Sequence, residues 1–245
     1  MARVLGVLLV TLLLGACSGT NRPVELADGE THDGHLSSVN GSIQIGDGCQ
    51  VTGDVANVNG AIRIGESGQL GAVRNVNGSI SIGQGSQAAR IETVNGRVLL
   101  ADSVTVDRSV QTVNGSISLA GDNRIGGDVR TINGPIVINA GSEVRGKVRS
   151  VNGGVQVTAS TVGRVKTTSG SIEILEGSIV TEGILVRAPS QNDRRRTPRV
   201  VIGANSQVLG ELVFDRDVEL HVHDSAVIGV VSGAEVIRFS GSSSD

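Results

Sequence analysis

The segment Val39-Asn40-Gly41-Ser42-Ile43-Gln44-Ile45-Gly46 recurs along most of the chain. Further copies begin at Val58, Val76, Val94, Val113, Ile132 and Val151, and Thr168-Ser169-Gly170-Ser171-Ile172 is a degenerate eighth. The asparagines Asn40, Asn59, Asn77, Asn95, Asn114, Asn133 and Asn152 are therefore 18 or 19 residues apart. A fixed period of this kind marks a stack of like units, each burying its apolar side against its neighbours. Within a unit the apolar residues alternate, as at Ile43 and Ile45 or Val51 and Val55, which is the period of a strand. A propeller blade needs about 40–45 residues, roughly twice this unit. The expected fold is all-β: a single-stranded parallel β-helix of roughly ten coils, about 4.8 Å apart, with 18 or 19 residues per coil.

Composition agrees with a narrow, stacked interior. The chain has 245 residues, 38% of them hydrophobic, yet only two Phe and neither Tyr nor Trp. Aromatic rings supply much of the buried area in ordinary globular cores; here Val and Ile must do so. Thirty-five glycines punctuate the corners. Asn-Gly pairs tolerate left-handed backbone angles and would form one column of turns, with stacked Asn amides bonding along it. The formal net charge of −3 and the 18% of charged residues give no reason to expect a nucleic-acid partner.

Outside the repeat the organisation is uneven. Residues 1–16 read as a leader: Arg3 is followed by an apolar run from Val4 to Leu14, short for a bilayer span and suited to a signal peptide. Residues 17–35 read as a flexible spacer, 36–186 as the V-N-G-repeat β-helix, and 187–199, with two prolines, as a polar excursion. Residues 200–240 read as further coils, because Ile202 to Leu212 repeats the pattern of Ile45 to Val55. Residues 241–245 form a tail.

Leu14-Gly15-Ala16-Cys17 resembles the lipobox of bacterial lipoproteins. That resemblance implies cleavage before Cys17, acylation of its thiol and new amine, and, with Ser18 next, sorting to the outer membrane. Several acyl chains on one residue satisfy the requirement for stable anchoring. The V-N-G-S-I-x-I units are similar to adhesin-type bacterial β-solenoids. The I-G-x-x-x-Q-V-x-G-[DE]-[VL] units resemble bactofilins, the polymer-forming cytoskeletal solenoids, which implies end-to-end assembly as an alternative function.

Most candidate chemistry dissolves into the repeat. Gly141 to Lys147 nearly matches a phosphate-binding loop but lacks the following Ser or Thr and a helix. Asn40, Asn77 and Asn114 lie in N-G-S sequons. Cys49 is left without an intrachain partner, either a thiol for pairing between molecules or a small residue at a turn. His221 and His223, with Asp217 and Glu219, alternate to one face of a strand and are weak metal candidates, since such a row is open rather than tetrahedral. The outward positions Gln44, Arg63, Ser81, Leu99, Ser118, Val137, Gln156 and Glu173 carry no acid cluster or aromatic ladder of a polysaccharide-cleaving β-helix. No catalysis and no cofactor are expected, with a polysaccharide-active enzyme as the reading from a different class. Phe214 and Phe239 fall in the last coils, to seal the core or to contact another copy.

One face stands out. Arg74, Arg90, Arg108, Arg130, Lys147, Arg149, Arg164 and Lys166 recur near the third strand of successive coils, with only Glu92 and Asp128 among them. Like charges one coil apart lie within a Debye length of about 8 Å. The expected function is an envelope lipoprotein, membrane-anchored through its lipid, with a structural, adhesive or binding role. The basic stripe would receive an anionic lipid or envelope polymer.

Overall fold

The computed structural model describes residues 22–189 and 197–241. Among them there is no helix, and every strand pairing is parallel, as between Ile43–Ile45 and Ile62–Ile64. Each coil contributes three short strands. The first wall is a sheet of twelve strands, from Val24–Leu26 through Ile80–Ile82 and Ile136–Ile138 to Val236–Phe239. Twelve stacked strands make about eleven turns of a β-solenoid. The second and third walls run together where Gln69–Asn77 and Gln87–Asn95 pass from one to the other without a break.

The alternation read from the sequence sets the register. Ile43, Ile62, Ile80, Ile117, Ile136 and Ile172 stack inside the first wall, fully buried, and Val55, Val73, Val110, Val129 and Val148 do the same in the third. Similar β-branched residues one above another fill a shaft of constant cross-section, which a bulky ring would interrupt. Phe214 is buried near the top of this core, and Phe239 lies half-buried with its ring edge-on to His223, centroids 5.2 Å apart.

Two sequence expectations change. The spacer assigned to residues 17–35 is shorter, because Val24–Leu26 stacks on Ile43–Ile45 and Thr31–His32 on Gln50–Val51. Val24 and Leu26 pack against the bottom of the core, so this polar-looking stretch is the first coil. The leader, Cys17, residues 190–196 of the excursion and residues 242–245 of the tail lie outside the described residues. The excursion does not interrupt the solenoid: Val200 follows Ile172 in register and Phe214 follows Val186.

Left-handed residues are not confined to the expected Asn-Gly corner. They also form the corner between the first and second walls, at Gly48, Ser67, Gly85, Ser103, Asp122, Gly141 and Ala159. At the Asn-Gly corner the asparagines are not left-handed, but Gly60, Gly78 and Gly134 have φ of +131°, +150° and +156°, and glycine is also required there for closeness. A Cβ on Gly96 would fall inside van der Waals contact with the carbonyl of Gly78 one coil below.

That corner is held from outside and inside. Outside, Asn59, Asn77, Asn95, Asn114, Asn133 and Asn152 each donate a side-chain amide to the asparagine below, at 2.7–2.9 Å. Inside, Asn57, Asn75, Thr93, Thr112, Thr131 and Ser150 donate to the glycine carbonyl below, at 2.8–3.2 Å. These buried polar side chains satisfy turn carbonyls that the narrow shaft closes off from water.

Candidate anion-binding face

The register of the third wall sorts the basic residues into columns. Arg74, Glu92, Gln111, Arg130, Arg149 and Lys166 lie directly above one another on the outer surface. Two positions earlier on each strand, Arg90, Ser109, Asp128, Lys147 and Arg164 form a parallel column, as the pairings of the flanking valines require. Arg108 stands apart, in the corner column with Ala89 and Gly127.

The lower part of this face is neutralised. Arg74 is clamped between Asp54, with Nη1 2.5 Å from Oδ2, and Glu92, with Nε 3.4 Å from Oε2. Arg90 reaches the other oxygen of Glu92 at 3.3 Å. Burial works against the charge on Asp54. The N–H of Ala72 and the Arg74 guanidinium outweigh it and hold the carboxyl below its ordinary range.

The upper part is different. Arg130 Nη2 donates to the neutral Gln111 Oε1 at 2.6 Å, not to a carboxylate. Asp128 spends Oδ1 on the backbone N–H of Lys147. Arg164 faces Glu182 at 3.8 Å. No ion pair joins Lys147, Arg149 or Lys166 to an acid among the described residues. Partial burial and then the fields of Arg187, Arg149, Lys147 and Arg164 hold the Lys166 ammonium below the ordinary lysine range. Lys147, Arg149, Arg164, Lys166 and Arg187 therefore make one cationic block. Of the eight residues read as a stripe, four belong to this block and Arg130 borders it; Arg74 and Arg90 are neutralised, and Arg108 points from another column. Arg187 was missed as part of this face, because it opens the stretch read as a polar excursion and carries no repeat signature.

Above Lys166 the column turns apolar, with Leu185 and Val213 in line. A shallow groove of about 180 Å³ lies there, lined by Arg164, Glu182, Ile184, Leu185, Glu211 and Val213.

The other candidates resolve simply. His221 stacks between Val201 and Ile237. His223 Nδ1 faces Ser225, whose N–H lies 3.1 Å away. No group of three or more His, Cys, Asp or Glu is placed to hold a metal among the described residues. Cys49 is fully buried, and its thiol donates to the carbonyl of Ala27 at 2.9 Å. Ser86, Ser142, Ser160 and Ser178 occupy the same corner position and donate in the same way to the coil below. Cys49 thus fills a serine position in a column of small donors.

Fold and surface together define a β-solenoid with an ion-paired lower face and, above it, a cationic block in which Arg164 alone is paired with an acid among the described residues. The chain matches no protein-family model, no curated protein and no solved structure.

Proposed function

We propose that this chain is an envelope lipoprotein, anchored to the outer membrane through acylated Cys17, whose solenoid binds anionic partners without catalysing a reaction. The observation supporting the binding role is the cationic block at Lys147, Arg149, Arg164, Lys166 and Arg187, held together by the fold although like charges repel. The lipobox-like Leu14-Gly15-Ala16-Cys17 supports the anchoring. Retention of the protein on immobilised polygalacturonate at low salt, with release as salt rises, is the expected behaviour. Reversal of Arg130, Arg149 and Lys166 to Glu should abolish retention while the β-rich circular dichroism persists. Equal retention of the reversed variant would overturn the binding assignment. Incorporation of labelled palmitate that survives Cys17→Ser would overturn the anchor.

A second reading, end-to-end self-association, is favoured by the terminal coil. Val227 and Val230 are 59% and 73% exposed there, and no strand pairs with the far side of Val236–Phe239 among the described residues. An open edge of this kind is a template for another chain. Concentration-dependent filaments, lost on Phe239→Arg while the monomer stays folded, would establish it; a monomer at all concentrations would exclude it.

A further inference from the structure

The residue that opens each repeat points outward. Val39, Val58, Val76, Val94, Val113, Ile132 and Val151 are half-buried or exposed, although the repeat reads as apolar-inside. Their inward neighbours are the polar donors Ser38, Asn57, Asn75, Thr93, Thr112, Thr131 and Ser150, all buried. An aliphatic ridge therefore climbs the outside of seven coils. On the upper coils it runs beside the cations: Ile132 is two residues beyond Arg130, and Val151 two beyond Arg149, with the buried Thr131 and Ser150 between the members of each outward-facing pair. Leu185 and Val213 close the block from above.

We propose that this face docks on an anionic lipid bilayer, with Lys147, Arg149, Arg164, Lys166 and Arg187 at the level of the phosphates and Val113, Ile132 and Val151 against the acyl boundary. The proposal rests on the anion-binding reading above and chooses its occupant. Charge complementarity calls for an anion, and the ridge calls for one with an apolar layer beside it, which a headgroup surface has. A polyanionic glycan would use the cations but find only methyl groups next to them. The bordering Asn amides do not compensate, since Asn114, Asn133 and Asn152 already bond along their ladder at 2.7–2.8 Å. Parallel coils at constant spacing keep both rows straight, which suits a planar partner. Glu182 and Glu211 bound the patch on its upper side and limit the contact to the coils below them.

The test uses the full chain with Cys17→Ser, so that an introduced thiol is labelled alone, Cys49 being buried. An environment-sensitive fluorophore is placed at Val151→Cys or, on the first wall, at Ser118→Cys. Each protein is added to vesicles of phosphatidylcholine or of equimolar phosphatidylcholine and phosphatidylglycerol. A blue shift at position 151 with the anionic vesicles alone, absent at position 118, is expected. High salt should remove the shift from the otherwise unmodified chain, and Lys147→Glu, Arg149→Glu and Lys166→Glu together should remove it at low salt. Equal signals at the two positions would mean attachment through the leader only and overturn the docking. No shift at position 151, with retention on polygalacturonate intact, would overturn the bilayer as occupant and leave the anion-binding reading standing. Loss of both would remove the two together.

Discussion

The side-chain amide of Asn114 donates to Oδ1 of Asn95 at 2.8 Å, across nineteen residues of chain, and Asn133 donates to Asn114 in turn. Each amide is thus donor below and acceptor above. Asn114→Asp keeps the acceptor and removes the donor, leaving its new carboxylate against Asn95 Oδ1. The expected cost is about 1 kcal/mol, because the ladder is solvent-exposed and water replaces part of the bond. Chemical denaturation of the variant, compared with Asn114→Ala, checks this; equal stability to the parent would show the ladder to be ornamental.

Gly96→Ala should be far more damaging. Its methyl group would be driven into the carbonyl of Gly78, and the neighbouring coils leave neither backbone room to shift. A loss on the order of 3 kcal/mol or more is expected, read as a large fall in the unfolding midpoint. Gly29, whose Cβ would meet nothing, is a poor comparison because its φ is +73°. The informative control is Ser116→Ala at the same corner, which should be close to neutral.

Cys49→Ser should change stability by less than about 1 kcal/mol, because serine supplies the same donor at this corner in five other coils. The native thiol should also resist alkylating reagents until the protein unfolds, being fully buried. Rapid native-state labelling at Cys49, followed by mass spectrometry, would contradict the placement.

Two groups with lowered pKa values make stability rise with pH, in different ranges and with opposite effects at neutral pH. The Asp54 carboxyl is held below its ordinary range, so the stability it adds is present above the unfolded value near 4 and fades as pH falls through the folded one. Asp54→Asn should flatten the acid limb of the stability curve. Lys166 is depressed too, but here the charged form is the disfavoured one: the unfolded chain binds its proton more readily, and stability lost at neutral pH is regained as pH rises through the folded value toward the unfolded one. Lys166→Gln should therefore raise the melting temperature at neutral pH while weakening anion binding. A lower melting temperature would show that its stem packing outweighs the repulsion.

Much of the fold was legible because repetition makes errors average out: one coil is ambiguous, but Ile43, Ile62 and Ile80 in phase are not. Val24 and Leu26 escaped notice since the first coil lacks the Asn-Gly signature and is rich in acids. The outward ridge was hidden for a different reason. At that corner the rule of apolar inside and polar outside inverts, because Thr93 or Thr112 must reach a glycine carbonyl in the interior and the following valine is then forced outward. Likewise the stripe was visible as residues, but whether Arg74 meets Asp54 or Arg130 meets Gln111 depends on register across coils, which spacing alone leaves open.

The downward direction of the corner bonds sets an order of assembly. Asn57 completes the turn at Gly41, Asn75 the turn at Gly60, and Ser150 the turn at Gly134, so each coil finishes the one made before it. A chain delivered from its N-terminus leaves only its newest turn incomplete until the next segment arrives. Such a stack can grow coil by coil, with one unfinished edge at any moment rather than a whole unfolded domain.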